Sequence, residues 1–373
     1  MDAPHAKAYC FTLTRVWWTA ELPSVLEKAM NRQSSVAKLI SFLPLFCGCV
    51  FAQNQINQID NEGVYRVNVR MVTVDAQVLD KKSGHAIPAL TADDFRVYED
   101  KVPQQISMFS QDELPISVVL LFDLTDSVRP VLKPLAEGAL QALQHLKPED
   151  EVAVMTYSST AQLIQDFTTD RALAAAAIDR ASGMKSDEAA FFNEGIYQAA
   201  ARLQKAKNRM SRRVIIWLTD DIPNFPSDDI KQRYGRSLGK NKLHSEKEAL
   251  EELWRTGTVV CTLLETSEIS DSEFSARMSK AGETMINNNL YPPGEVHKYA
   301  RATGGQVVES SRKHIDERLA LLIDDIRMRY SIGYHPTGQK PKGKFCAIQV
   351  KVSPEVKQAH HELVVEARQG YYR

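Results

Sequence analysis

Two hydrophobic patterns divide this chain. In the middle, uninterrupted apolar runs alternate with stretches whose apolar residues fall at helical spacing. On either side, apolar and polar residues tend to alternate one by one. The central runs are Val118-Val119-Leu120-Leu121-Phe122, Val214-Ile215-Ile216-Trp217-Leu218 and Val259-Val260-Cys261-Thr262-Leu263-Leu264. Runs of this kind read as strands buried on both faces, as in parallel sheets. Glu151–Tyr157 reads as a further strand and Gln306–Val308 as a short one. Between them, Val131–His145 reads as a helix, with Pro130 at its first turn. Asp170 is placed to cap a helix over Arg171–Ala181, and Gly195–Lys205 forms another. Ser245-Glu246-Lys247-Glu248 has capping-box spacing and opens a helix that runs to Arg255. Glu295–Ala302 is stopped by Gly304-Gly305, and Leu319, Leu322, Ile323 and Ile326 form the stripe of a last helix, Ile315–Met328. Alternating strands and helices predict a doubly wound, mostly parallel α/β sheet over residues 113–328.

The flanks read differently. Val64, Val67, Val69, Val72, Val74, Ala76 and Val78 are set among polar residues, and Lys81-Lys82-Ser83-Gly84 is a turn signal. Asp93–Asp100 and Gln104–Phe109 continue the strand character, which returns in Tyr330–Tyr334, Lys344–Val352 and Glu362–Ala367. Two or three isolated strands rarely bury enough surface alone. Residues 64–112 and 329–373 are therefore expected to pair into one small β-sandwich, with the α/β unit inserted between them.

The amino end reads as a targeting segment. Asn31, Arg32 and Lys38 precede the apolar core Leu39–Val50, which is too short to span a bilayer, and Val50-Phe51-Ala52 offers a cleavage site. Residues 1–52 are expected to be a signal peptide, with Met30 the better start, cleaved near Ala52. Residues 53–63 form a polar, disordered lead. The expected product is exported, periplasmic or secreted, with no membrane span in the mature chain. Of the five cysteines, Cys261 and Cys346 stay after cleavage. Cys261 lies in an apolar run and reads as a buried thiol; whether it pairs with Cys346 is open.

The 373 residues carry a net charge of -1 and no basic stripe with aromatics, so nothing points to nucleic acid as a partner. There is no G-x-S-x-G elbow, no phosphate-binding loop and no ordered set of histidines, which speaks against an enzyme.

The chemistry sits where two buried strands stop. The first ends in Asp123-Leu124-Thr125-Asp126-Ser127, with oxygen side chains at i, i+2 and i+4; the second ends in Thr219-Asp220-Asp221. Ligands of open α/β sheets lie outside the carboxyl ends of the strands, so both groups are expected on one edge. Hard oxygens gathered there suit Mg²⁺.

Asp123-Leu124-Thr125-Asp126-Ser127 resembles the D-x-[ST]-x-S metal-ion-dependent adhesion site of von Willebrand factor A domains, and Thr219-Asp220 resembles the T-D that ends a later strand in them. Residues 64–110 and 330–373 resemble the flanks of bacterial proteins related to this family, best known from acidobacterial genomes. The resemblance implies that Asp123, Thr125, Ser127 and Asp220 hold Mg²⁺, or Mn²⁺ or Ca²⁺, whose open position accepts a carboxylate from a partner protein. The family's further threonine, from a third loop, is Ala190 here when Gly195-Ile196 is aligned to the helix start. Asp126, Asp221 and Glu194 are additional acids that can support the metal or its rim. Phe191 and Phe192 read either as core or as a partner-binding rim. The expected function is a protein-binding module using the metal site. The alternative is a metal-independent structural or assembly scaffold with a degenerate site.

Overall fold

The computed structural model describes residues 71–82, 84–111, 114–125, 128–185, 191–220, 243–265, 295–338, 340–360 and 362–373. The expected signal peptide and cleavage site, the expected polar lead, Val64, Val67 and Val69 lie outside the described residues. So do Asp126, Ser127, Ala190, Asp221 and most of residues 222–293.

The centre is a six-stranded sheet in the order β10-β9-β8-β5-β6-β7. Its strands are β5 (Ile116–Asp123), β6 (Glu151–Tyr157), β7 (Ala161–Thr168), β8 (Arg212–Thr219), β9 (Val259–Glu265) and β10 (Val307–Ser310). All neighbours are parallel except β7, which runs antiparallel to β6 along one edge. The sequence pattern does not predict β7. Its exposed and half-buried positions do not alternate, because an edge strand has one partner and little core to face.

Every residue of β5 is buried. Val118, Leu120 and Phe122 face helices α1 (Arg129–Ala142), α2 (Arg171–Ser182) and α6 (Ile315–Arg327). Val119 and Leu121 face α3 (Phe192–Leu203), α4 (Glu246–Thr256) and α5 (Glu295–Thr303). Helices on both faces explain the continuous apolar runs, since a strand covered twice has no polar side. The capping signals act as read: the Asp170 carboxylate accepts from the Ala172 and Leu173 amides, and Ser245 with Glu248 closes a capping box. A β-carbon on Gly138 would come 2.3 Å from Ile315, so α1 and α6 need glycine there to approach.

The two flanks fold together. One sheet has the order β13-β1-β11-β4, from β1 (Val72–Asp80), β4 (Ile106–Ser110), β11 (Tyr330–Tyr334) and β13 (Leu363–Ala367). The other has the order β14-β12-β2-β3, from β2 (Phe95–Glu99), β3 (Val102–Gln104), β12 (Phe345–Val352) and β14 (Gly370–Tyr372). Each sheet therefore mixes strands from before and after the α/β unit. Val72, Val74, Ala76 and Val78 share one core with Phe95, Val97, Tyr330, Ile332, Ile348 and Val350. The short helix α7 (Pro354–Ala359) and β14 carry too few residues for the pattern to reveal.

A seam rich in polar groups joins the sandwich to the amino-terminal edge of the central sheet. Arg212 donates to the Arg327 carbonyl at 2.7 Å and the Arg329 carbonyl at 2.6 Å, and Asp75 lies 3.7 Å from its Nε. Arg327 pairs with the fully buried Asp150. Gln306 donates to Gln77 at 2.6 Å, and Arg329 donates to the Gly304 carbonyl at 2.6 Å. Cys261 and Cys346 are both buried free thiols, one in the α/β core and one in the sandwich core. Among the described residues, no helix is long and apolar enough to cross a membrane.

Candidate metal centre

Asp123 is the last residue of β5. Parallel pairing sets it beside Tyr157, the last residue of β6, while β8 on the other side ends at Thr219 with Asp220 next. Three neighbouring strands thus deliver their ends to one edge. The chain turns sharply after Asp123: the Thr125 amide donates to Asp123 Oδ1 at 2.9 Å, and the Leu124 amide to the Tyr157 carbonyl at 2.8 Å. Asp123 and Thr125 are both buried there, and Asp220 is half-buried.

The other carboxylate oxygen is held from two sides. Tyr157 Oη donates to Asp123 Oδ2 at 2.6 Å, and Thr219 Oγ1 donates to the same atom at 2.8 Å. Trp217 Nε1 in turn donates to Tyr157 Oη at 2.9 Å. Burial pushes the Asp123 carboxyl above the usual carboxylate range, while hydrogen bonds from Tyr157, Thr125 and Thr219 pull it back. Burial, then the charge of Asp123, raises the Tyr157 hydroxyl well above its ordinary value. Among the described residues, no lysine, arginine or histidine forms an ion pair with Asp123. A buried carboxylate without a countercharge is costly. Its immediate partners are hard oxygens, the Thr125, Thr219 and Tyr157 hydroxyls, and Asp220 follows Thr219 on the neighbouring strand. That donor chemistry fits Mg²⁺, which accepts one or two carboxylates and keeps several waters.

Of the residues proposed from sequence, Asp123, Thr125 and Asp220 come to this edge, while Ser127, Asp126 and Asp221 lie outside the described residues. Glu194 is engaged elsewhere. Its Oε2 accepts from the His244 backbone amide at 2.9 Å and lies 2.7 Å from His244 Nδ1, while Oε1 accepts from Gln198 at 2.8 Å. The His244 ring stacks on Tyr197. Glu194 thus ties the chain entering α4 to the first turn of α3, so it is not a free acid at the rim.

Phe191 and Phe192 correct the partner-rim reading. They are 4% and 8% exposed, and the Phe192 ring packs 5.6 Å from Trp217 and 6.2 Å from Tyr299. The aromatic pocket between β8 and α5 draws Phe192 inward, and the Phe191 amide donates to the Ser158 carbonyl at 3.0 Å.

Sequence reasoning missed Tyr157 and Trp217 as members of the site. The signal available was positional: Tyr157 ends the strand next to Asp123, and Trp217 lies two residues before Thr219. Gly195 reinforces the arrangement, because a β-carbon there would meet the Tyr157 ring at 2.8 Å.

A second acidic group, Glu99 and Asp100 beside Cys346, has structural duties. Glu99 accepts from Tyr334 at 2.8 Å and Tyr371 at 3.1 Å, and Asp100 pairs with Lys340.

The structure is a doubly wound α/β sheet whose carboxyl edge presents a buried aspartate, a hydroxyl two residues on and a second aspartate from the neighbouring strand. Residues 118–222 match the von Willebrand factor type A domain family. Solved structures are similar at low identity. The PilB minor pilin from Streptococcus sanguinis is 13% identical with a TM-score of 0.39, over 59% of this chain and 63% of that one. This chain thus spans less than two thirds of that pilin. BatB from Bacteroides thetaiotaomicron is 16% identical with a TM-score of 0.37, over 56% of this chain and 99% of that one. A von Willebrand factor type A protein from Catenulispora acidiphila is 11% identical with a TM-score of 0.40, over 82% of this chain and 74% of that one. No curated protein matches the sequence. Domains of this type are, in general, protein-interaction modules.

Proposed function

We propose that the chain is an exported protein-interaction module that binds its partner through a divalent cation on the carboxyl edge of the α/β sheet. Asp123, Thr125, Ser127 and Asp220 would hold the cation, Mg²⁺ or Mn²⁺, and a carboxylate of the partner would fill its open position. The bound cation supplies a Lewis-acidic point that the protein's own side chains lack. This chain's residues orient the Asp123 carboxylate, shield it from water and set the hydroxyl of Thr125 beside it. The observation that carries the reading is the buried Asp123 carboxylate, braced by neutral donors, with no cationic side chain paired to it among the described residues. Calorimetric titration with Mg²⁺ and Mn²⁺, with Asp123→Ala as control, tests it. Saturable binding lost in the variant is expected; absence of binding to the unaltered chain overturns it.

One observation favours the alternative, a metal-independent scaffold. Both Asp123 oxygens already accept hydrogen bonds from the protein, so the carboxylate is satisfied without a cation. Partner capture that persists in chelator and in Asp123→Ala would select that reading.

A further inference from the structure

A cavity of about 650 Å³ lies away from Asp123, where the sandwich meets α5 and β10. Two strand edges open onto it. β13 is the end strand of its sheet and pairs with β1 on one side. The Lys81 amide donates to the Glu362 carbonyl at the start of that antiparallel ladder. Val364 and Glu366 therefore turn their main-chain groups to β1, and Val365 turns its own outward. β12 is open in the same way. Its Ala347 carbonyl accepts from the Asp100 amide beside β2, and its Ile348 amide donates the other way, to the Gln369 carbonyl at 2.8 Å. Val350 thus also faces away from β2, past the end of the pairing with β14. Val350 and Val365 both line the cavity.

An open strand edge invites a further strand, and proteins guard such edges with prolines, bulges or charge. Other edges of this molecule are guarded: β3 carries Pro103, and the pairings of β4 and β7 contain register shifts. β13 reads Leu363-Val364-Val365-Glu366-Ala367, pairs without a shift, has no proline or lysine, and leaves Val364 37% exposed. Its one charged residue, Glu366, lines the cavity and ends in an Oε2 that is buried with no hydrogen-bond partner among the described residues. That oxygen is a ready acceptor. From α5, His297 and Arg301 line the same cavity one turn apart, exposed and in no ion pair among the described residues. We propose that this cavity is a second docking site, which takes an extended peptide segment of a partner protein as an added strand on β13, with an acidic side chain of that peptide set against Arg301 and His297. In strand addition, main-chain hydrogen bonds supply affinity and the side-chain contacts supply specificity. The site needs no cation and shares no residue with the edge that holds Asp123.

The test is panning of a phage-displayed library of random peptides on the full chain. Enriched sequences are then made with a fluorophore and their binding is read by anisotropy. They are expected to be rich in strand-forming residues and to carry Asp or Glu. Val365→Pro removes the outward amide, and an edge strand tolerates proline where the N–H faces away from the sheet. It is expected to weaken binding about tenfold. Arg301→Glu, at an exposed helix position, sets like charge against the peptide's acid and is expected to weaken binding by a similar factor. It carries the test if Val365→Pro fails to fold. Chelator is expected to leave binding unchanged. A library that enriches nothing, peptides that bind both variants as well as the unaltered chain, or binding abolished by chelator overturns the proposal. Self-association of the unaltered chain in sedimentation, lost in Val365→Pro, would assign the edge to a second copy and overturn it as well.

Discussion

The two ends of the central sheet bury charge in opposite ways. At the amino-terminal end, by the seam with the sandwich, acids meet arginines. Asp150 accepts from the Ile116 amide at 2.8 Å and the Lys147 amide at 2.7 Å and pairs with Arg327, while Arg212 faces Asp75. At the carboxyl end, Asp123 is equally buried, yet its partners are neutral hydroxyls and an amide. The first arrangement is closed: its charges are matched inside the protein and serve to hold elements together. The second, the open end, is braced by hydrogen bonds alone: among the described residues no side chain of opposite charge pairs with Asp123. Burial of an acid alone does not mark a functional site. Burial without a countercharge, at the carboxyl edge of the sheet, is what the proposed metal site rests on.

The contrast can be broken at the closed end first. Removing one member of a buried pair strands the other charge, so Arg327→Ala is expected to destabilise the fold by about 3–5 kcal/mol. Urea denaturation measures it, and a loss below about 1 kcal/mol would mean the seam charges are not matched as described. At the open end the expected lever is the ion itself. Mg²⁺ at a hundred times its dissociation constant should stabilise the unaltered chain by about 2.7 kcal/mol and Asp123→Ala not at all, read from melting curves with and without the ion.

Glu366 tests the boundary between the two cases. It lies on β13, and burial pushes its carboxyl up to about 7 despite the opposing charge of Arg329. The folded state then holds the proton more tightly than the unfolded one. The stability this gives is complete below the ordinary glutamate range and is lost as pH rises through about 7. Glu366→Gln removes that loss. It should gain on the unaltered protein between pH 5 and pH 8, by on the order of 1–2 kcal/mol after allowance for partial exposure. Parallel stability curves across that range would sink the assignment. The smallest effect belongs to a pair that is neither open nor closed. Lys133 and Glu137 lie one turn apart with side chains 84% and 59% exposed. Lys133→Ala should change stability by less than about 0.5 kcal/mol, which sets the scale for the buried cases.

Much of this architecture is legible in the sequence because it follows local rules. Continuous apolar runs give strands covered on both faces, and Asp170 and the Ser245–Glu248 box fix helix starts through bonds made within a few residues. Strand β7 and helix α7 escape because their periodicity is weak and their length short. Phe191 and Phe192 escape for another reason: adjacent aromatics before a helix fit a surface rim or a core equally well, and only the pocket made by Trp217 and Tyr299 decides.

The sequence by itself determined the type of sheet, the helices that cover it and the oxygen-bearing strand ends at Asp123, Thr125 and Asp220. Those properties depend on residue order within one strand and its turn. Only the tertiary structure decided which side chains from other strands reach Asp123, that Glu194 is tied to His244, and how strands before and after the α/β unit share two sheets. The reason is distance along the chain. Tyr157 follows Asp123 by 34 residues and Thr219 by 96, and no local pattern records a contact made when parallel strands are laid side by side.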